Sequence, residues 1–194
     1  GCGFLDADND GWRDILLVNG HVFPEVDALE ESDLSYREPP VLYRSLHGER
    51  FEDISAGAGP GIRQARPARG LALADIDNDG RLEVLINSQN ERPALLAQQG
   101  SAAGNWIVLH LEGSVSNRSA IGARARVKSA TKTQRGEVRG GGSYLSQHDL
   151  RLHFGLGPDT EADIELWWPS GTKQRLDSLA AGQVHRIREP SQRD

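Results

Sequence analysis

Asp6-Ala-Asp-Asn-Asp-Gly-Trp-Arg-Asp14 returns 69 residues later as Asp75-Ile-Asp-Asn-Asp-Gly-Arg-Leu-Glu83. Each copy places carboxylates at its first, third, fifth and ninth positions and glycine at its sixth. Four acids so close together repel one another unless a cation lies among them. Calcium takes six to eight oxygens at roughly 2.3–2.6 Å, from carboxylates, carbonyls and water. In a tight loop alternate side chains turn inward, and Gly11 or Gly80 allows the sharp bend after the third acid. The expected ligands are Asp6, Asp8, Asp10 and Asp14 in the first loop, and Asp75, Asp77, Asp79 and Glu83 in the second. The main-chain carbonyls of Trp12 and Arg81, at the seventh position, complete the two sets. The expected metal is Ca²⁺, at two sites.

An EF-hand is the competing loop. It needs a bidentate Glu at its twelfth position and a helix on each side. The twelfth positions here are Leu17 and Ile86, inside short branched runs (Ile15 to Val18, Val84 to Ile86) that read as strands. A plain polar turn between strands is the other alternative, and the second copy of the pattern weakens it.

Working outward, the 194 residues suffice for one large or two modest domains. The 22 glycines and the lack of long helical periodicity favour an all-β chain with many turns. No apolar run reaches membrane-spanning length, and no signal peptide is present. Methionine is absent, which suggests a piece of a longer protein. The single cysteine, Cys2, excludes an internal disulfide and is expected in a strand and inert. The net charge of −6 is divided: residues 1–104 carry −9 and residues 105–194 carry +3. The two loops hold eight of the 28 acids, so the acidity belongs to the proposed ion sites and not to the surface at large.

Between the loops, Phe23 to Pro40 reads as an excursion. Val41 to Ser45 and Arg50 to Ile54 read as a hairpin. Gly57-Ala-Gly-Pro-Gly61 is a turn cluster without the Lys-Ser/Thr ending or following helix of a phosphate loop. Gly100 to Gly104 is a plausible boundary, dividing the chain into 1–104 and 105–194. Beyond it, Trp106 to Leu111 alternates like a half-buried strand.

The Asp-x-Asp-x-Asp-Gly-x-x-Asp/Glu loops resemble FG-GAP (VCBS-type) repeats, the calcium-binding blades of integrin-like β-propellers. Leu42 to Ile54 is similar to the strand pair of such blades. By that resemblance the eight acids above take the ligand roles. Asn117 to Val127, Gly140 to Gln147, Leu150 to Gly157, Ile164 to Gly171 and Gln183 to Arg188 together resemble the ASPIC/UnbV domain. That domain follows FG-GAP repeats in secreted bacterial proteins and in the cartilage acidic protein family. The resemblance implies partial propeller blades followed by a β-sandwich or barrel-like domain, in a secreted, extracellular or periplasmic module. The implied role is calcium-dependent adhesion, scaffolding or structure without catalysis. Its partner would be a protein or glycan, or further copies of itself. The alternative is an accessory, substrate-handling part of a larger secreted enzyme acting on polysaccharide or phosphoester. Two blades cannot close a ring, so their edges must be capped by the second domain, by neighbouring copies or by more chain.

Arg118, Arg124, Arg126, Lys128, Lys132, Arg135 and Arg139 face only Glu137 in their stretch. Arg124, Arg126 and Lys128 should share a strand face, either as a docking face for an anionic glycan or the acidic half, or as a solvated sheet face. Nucleic acid is not expected, since the chain is acidic and no binding module is visible. His21, His47, His110, His148, His153 and His185 show no metal spacing and read as structural or exposed. Trp167-Trp168 should put one ring in the core and one outside, where it and Tyr144 could meet a sugar. Asn117-Arg-Ser119 fits a glycosylation sequon.

Overall fold

The computed structural model describes residues 1–29, 33–100 and 104–191. Part of the expected excursion (30–32) and part of the expected boundary (101–103) lie outside the described residues.

The chain is built of strands. The first sheet is an antiparallel meander of β1 (Cys2–Leu5), β2 (Asp14–Leu17), β3 (Val41–Leu46) and β4 (Arg50–Asp53) in chain order. The second contains β5 (Ala68–Ala74), β6 (Glu83–Ser88) and β7 (Ala94–Leu96), again in chain order. The expected hairpin is the β3–β4 pair, with Leu46 opposite Arg50. A 3-10 turn, Pro24–Ala28, occupies the excursion. A one-turn helix, Pro60–Arg63, follows the glycine cluster, where none was expected. Proline at its start supplies the fixed φ that a first helical residue wants.

The second half contains β8 (Asn105–Glu112), β9 (Arg124–Lys128), β10 (Thr133–Glu137), β11 (Gly142–Ser143), β12 (Ser146–Gln147), β13 (Leu152–Gly157), β14 (Glu161–Trp167), β15 (Lys173–Ala180) and β16 (Gln183–Arg188). One sheet runs β10-β9-β14-β15 and another β13-β8-β16; β11 and β12 form a small hairpin. Ala162, Ile164 and Leu166 of β14 alternate with outward polar residues, as do Ala125 and Val127 of β9. These inner faces meet Ile107, Leu109, Phe154 and Leu156 of the other sheet in one apolar cluster, the core of a sandwich. A separate cluster fills the first half, around Leu16, Leu71, Leu73 and Ile86. Trp168 is buried and Trp167 half-buried, as strand alternation requires.

Two features differ from expectation. β8 is buried on both faces at Ile107, Val108 and Leu109, not half-buried, because it is the middle strand of its sheet and its reverse face is covered as well. Its partner β16 runs parallel to it. Of the three ways to cover blade edges, one is present. The β11–β12 segment lies on β1 and β5: Cys2 N–H donates to Ser143 Oγ (2.9 Å), Leu73 N–H to His148 Nδ1 (3.2 Å), and Asp149 N–H to the Leu73 carbonyl (2.9 Å).

Candidate metal centre

Each acidic stretch links two paired strands. Leu5 faces Asp14 across β1–β2, and Ala74 faces Glu83 across β5–β6, so both loops span the same eight residues between equivalent rungs. The backbone is repeated closely. Asn9 and Asn78 lie at φ 57° and 61°, Gly11 and Gly80 at 83° and 81°. A left-handed glycine avoids the clash that a side chain would meet there.

The acids first organise their own loop. In loop 1, Asp6 accepts from Asp10 N–H (3.0 Å) and Gly11 N–H (2.8 Å), and Asp10 accepts from Trp12 N–H (2.7 Å). Asp8 takes a longer bond from Asp10 N–H (3.4 Å), and Asp14 accepts from Ala7 N–H (3.0 Å). Loop 2 repeats the circuit: Asp75 accepts from Asp79 N–H (3.1 Å) and Gly80 N–H (3.1 Å), Asp79 from Arg81 N–H (2.9 Å), Asp77 from Asp79 N–H (3.3 Å) and Glu83 from Ile76 N–H (2.8 Å).

What remains of the carboxylates converges. Oxygens of Asp6, Asp8 and Asp10 lie within 4.8 Å of one another, and so do those of Asp75, Asp77 and Glu83. The two trios use different positions. Asp14 also accepts from Ser45 N–H (2.8 Å), which anchors it to β3. Asp79 is ion-paired with Arg81, and Asp8 with Arg44. Trp12 and Arg81, expected as carbonyl ligands, offer their N–H groups to Asp10 and Asp79, as above.

The electrostatics suit a cation. Burial pushes the Asp6 carboxyl up to about 7, and Asp10, Asp8 and Asp14 add to the rise against the Gly11 hydrogen bond. Asp14 is raised too, by burial first and then by Asp8 and Asp10, against the bonds from Ser45 and Ala7. At Asp79 burial pushes upward, but Arg81 outweighs it and lowers the pKa. In loop 1, an all-oxygen donor set whose buried Asp6 and Asp14 resist ionising fits a hard divalent ion, which supplies the missing positive charge.

Both loops are held by the second half of the chain. Lys132 donates to the Asp10 carbonyl (2.6 Å), and its Nζ lies 4.2 Å from the centre of the Trp12 ring. Gly157 N–H donates to the Asn9 carbonyl (2.8 Å). Arg151 donates to the Asp75 carbonyl and to Asn78 Oδ1, steadied by Asp149. The loops also meet each other: Asn9 Nδ2 and His153 Nε2 both donate to the Gly80 carbonyl, each at 3.0 Å. Burial lowers the His153 pKa, so the ring is held neutral as a structural donor.

From the sequence, Arg151 was not singled out, His153 read as structural or exposed, and Lys132 stood only as one of the basic run weighed as a docking face. One signal pointed there: Gly155 lies inside β13, and glycine in a strand interior marks a close backbone approach. A Cβ at Gly155 would stand 2.1 Å from Asp6 Oδ2 and 2.5 Å from the Asn9 carbonyl carbon.

With this geometry in hand, residues 6–86 match the FG-GAP-like repeat family, and residues 113–194 match the ASPIC and UnbV family. The first match opens on Asp6 and closes just past Glu83, so it contains both loops. The chain is also similar to cartilage acidic protein 1. It is 27% identical to the Homo sapiens protein, over 95% of this chain and 27% of that one. It is 27% identical to the Xenopus tropicalis protein, over 80% of this chain and 25% of that one. The chain thus spans about a quarter of the length of these curated relatives.

Proposed function

We propose that this chain, in which FG-GAP-like repeats precede an ASPIC and UnbV domain, is a calcium-stabilised extracellular scaffold or adhesion module with no reaction of its own. Asp6, Asp8, Asp10 and Asp14 would hold one ion, and Asp75, Asp77, Asp79 and Glu83 the other, with the Trp12 and Arg81 carbonyls completing the sets. Calcium supplies charge neutralisation, while the chain's own residues fix the loops. The single observation that carries this reading is the repetition of one hydrogen-bond circuit in both loops, with three carboxylates left converging in each.

The role is mechanical. Lys132, Arg151 and His153 grip the main chain of the loops, so whatever stiffens the loops also stiffens the junction between residues 1–104 and residues 105–194, which we treat as two domains. No helix among the described residues is long and apolar enough to cross a membrane. The repeats' relatives are named for cartilage, an extracellular tissue, and we infer a similar setting here. Calorimetric titration with calcium chloride tests the reading. Two sites are expected in the unaltered chain and one in each of Asp6→Asn and Asp75→Asn. Absence of calcium binding, with an unchanged melting curve in chelator, would remove the proposal.

A further inference from the structure

A cavity of about 770 Å³ is lined by Arg13 of loop 1, by β9 and β10, by Leu152 of β13 and by Trp167 to Pro169 at the end of β14. Five guanidinium groups line it: Arg13 from loop 1, Arg124 and Arg126 from β9, Arg135 from β10, and Arg139 just beyond. Arg126 is ion-paired with Glu165 and Arg139 with Glu137. Among the described residues Arg13, Arg124 and Arg135 have no ion-pair partner.

This clustering works against the fold. Arg126 stands directly opposite Arg135 across β9–β10, and like charges in such a pair are destabilising. Arg13 adds a further guanidinium by donating to the Arg135 carbonyl (3.3 Å). Acids on the same face offset part of this charge, Glu165 beside Arg126 and Glu137 opposite Arg124, but the guanidiniums outnumber them on a concave surface, with the half-buried Trp167 in the row beside Arg124.

We propose that this groove binds an acidic saccharide, one whose sulfate or carboxylate groups meet the unpaired guanidiniums while a sugar ring packs on Trp167. Guanidinium forks match such oxyanions in a bidentate way, and an exposed indole face offers flat apolar area to a pyranose. Neighbouring positions on the sheet root the arginines about 5–7 Å apart, close enough for their side chains to serve closely set anionic groups. An acidic peptide is less suited. Extended peptides bind by adding to a free sheet edge. On the β10 edge the Arg135 carbonyl is already taken by Arg13 (3.3 Å), and the Gln134 side chain reaches across to the Gly155 carbonyl (2.6 Å). The groove rests on the arginines and not on the ion in loop 1.

The test is titration of the whole chain with a heparin oligosaccharide, a neutral dextran of equal length and poly-glutamate of matched charge. Salt-sensitive binding of heparin is expected, with no dextran binding and much weaker poly-glutamate binding. The double variant Arg124→Gln/Arg135→Gln should lose about tenfold in heparin affinity, and Trp167→Phe should lose less. Arg118→Gln is the control: this side chain is 91% exposed, lies in the same basic run and is outside the groove. Melting curves check the fold, and the two single variants provide a second readout if the double variant melts early. The proposal falls if heparin is not bound, if poly-glutamate binds as well as heparin, or if Arg118→Gln costs as much as the groove variants. Repeating the titration in chelator separates the two readings. Heparin binding in a chain whose melting ignores calcium would sink the metal proposal and leave this one standing.

Discussion

Loops 1 and 2 share a backbone and differ in how they handle charge. Both bend through a left-handed asparagine and a left-handed glycine, and both use one N–H circuit. Loop 1 keeps its fifth acid, Asp10, in the converging trio and ties its ninth, Asp14, to Ser45. Loop 2 gives its fifth acid, Asp79, to Arg81 and brings its ninth, Glu83, into the trio. The longer glutamate reaches where an aspartate would not. The residue at position seven, Trp12 in one loop and Arg81 in the other, decides whether the fifth acid is ion-paired within its loop, while loop 1 takes its ion pair from outside, Arg44 on Asp8. Because the raised carboxyls, Asp6 and Asp14, lie in loop 1, that loop should depend more heavily on its ion.

The harshest challenge to that comparison is removal of calcium from both loops. At a hundredfold excess over Kd each ion contributes about 2.7 kcal/mol, so chelation should cost about 5 kcal/mol. In a chain of this size that is a fall of roughly 10–20 °C in Tm, read by calorimetry. Truncating one loop at a time divides the effect. Asp6→Ala and Asp75→Ala each strand two N–H groups, an expected loss of about 3 kcal/mol in denaturant melts. The Asp6 variant should lose the larger share of calcium-dependent stability; equal losses would break the comparison.

Glu189 is a buried carboxylate outside both loops, held by hydrogen bonds. It accepts from the N–H groups of Ser114, Val115 and Ser116 and from the hydroxyls of Ser116 and Ser170. Burial pushes its pKa up, but the bonds from Ser170, Ser116 and Val115 outweigh it and bring it to about 2. Its stabilisation is therefore full above about pH 4.5 and is lost as the pH falls toward 2. Asp6 has the opposite sign. In metal-free protein its contribution is full below about pH 4 and is lost as the pH rises through about 7. Melting in chelator should therefore improve from pH 8 to pH 5, and Asp6→Asn should flatten that rise. Glu189→Gln should cost about 2 kcal/mol whether or not calcium is present. The smallest effect is expected from Arg81→Ala. It frees Asp79 and should raise calcium affinity at loop 2 by about threefold, moving that loop toward the behaviour of loop 1.

The converging acids and the glycine bend of each loop were legible because they are local: spacing and residue type carry them. Alternation in β9, the β3–β4 hairpin and the division of Trp167 from Trp168 were legible for the same reason. The junction was not. Asn9 meeting Gly80, and Arg151 or His153 meeting loop 2, join residues more than 70 positions apart, and no local pattern encodes that. The seven-residue basic run concealed two environments. Lys132 is committed to loop 1, while Arg124 and Arg135 face the groove. The parallel β8–β16 pairing was not legible because it joins segments more than 70 positions apart.

Asp14 and Glu83 are each the first residue of a strand, β2 and β6. A one-residue slip in either hairpin would turn that carboxylate to the opposite face and bring a branched apolar residue, Ile15 or Val84, into its place. Correct strand alignment and a complete acidic ring are therefore one and the same event. A misaligned hairpin would lose its ninth acid, so the Asp14 bond to Ser45 and the place of Glu83 in its trio both report the register of the sheet that the loop closes.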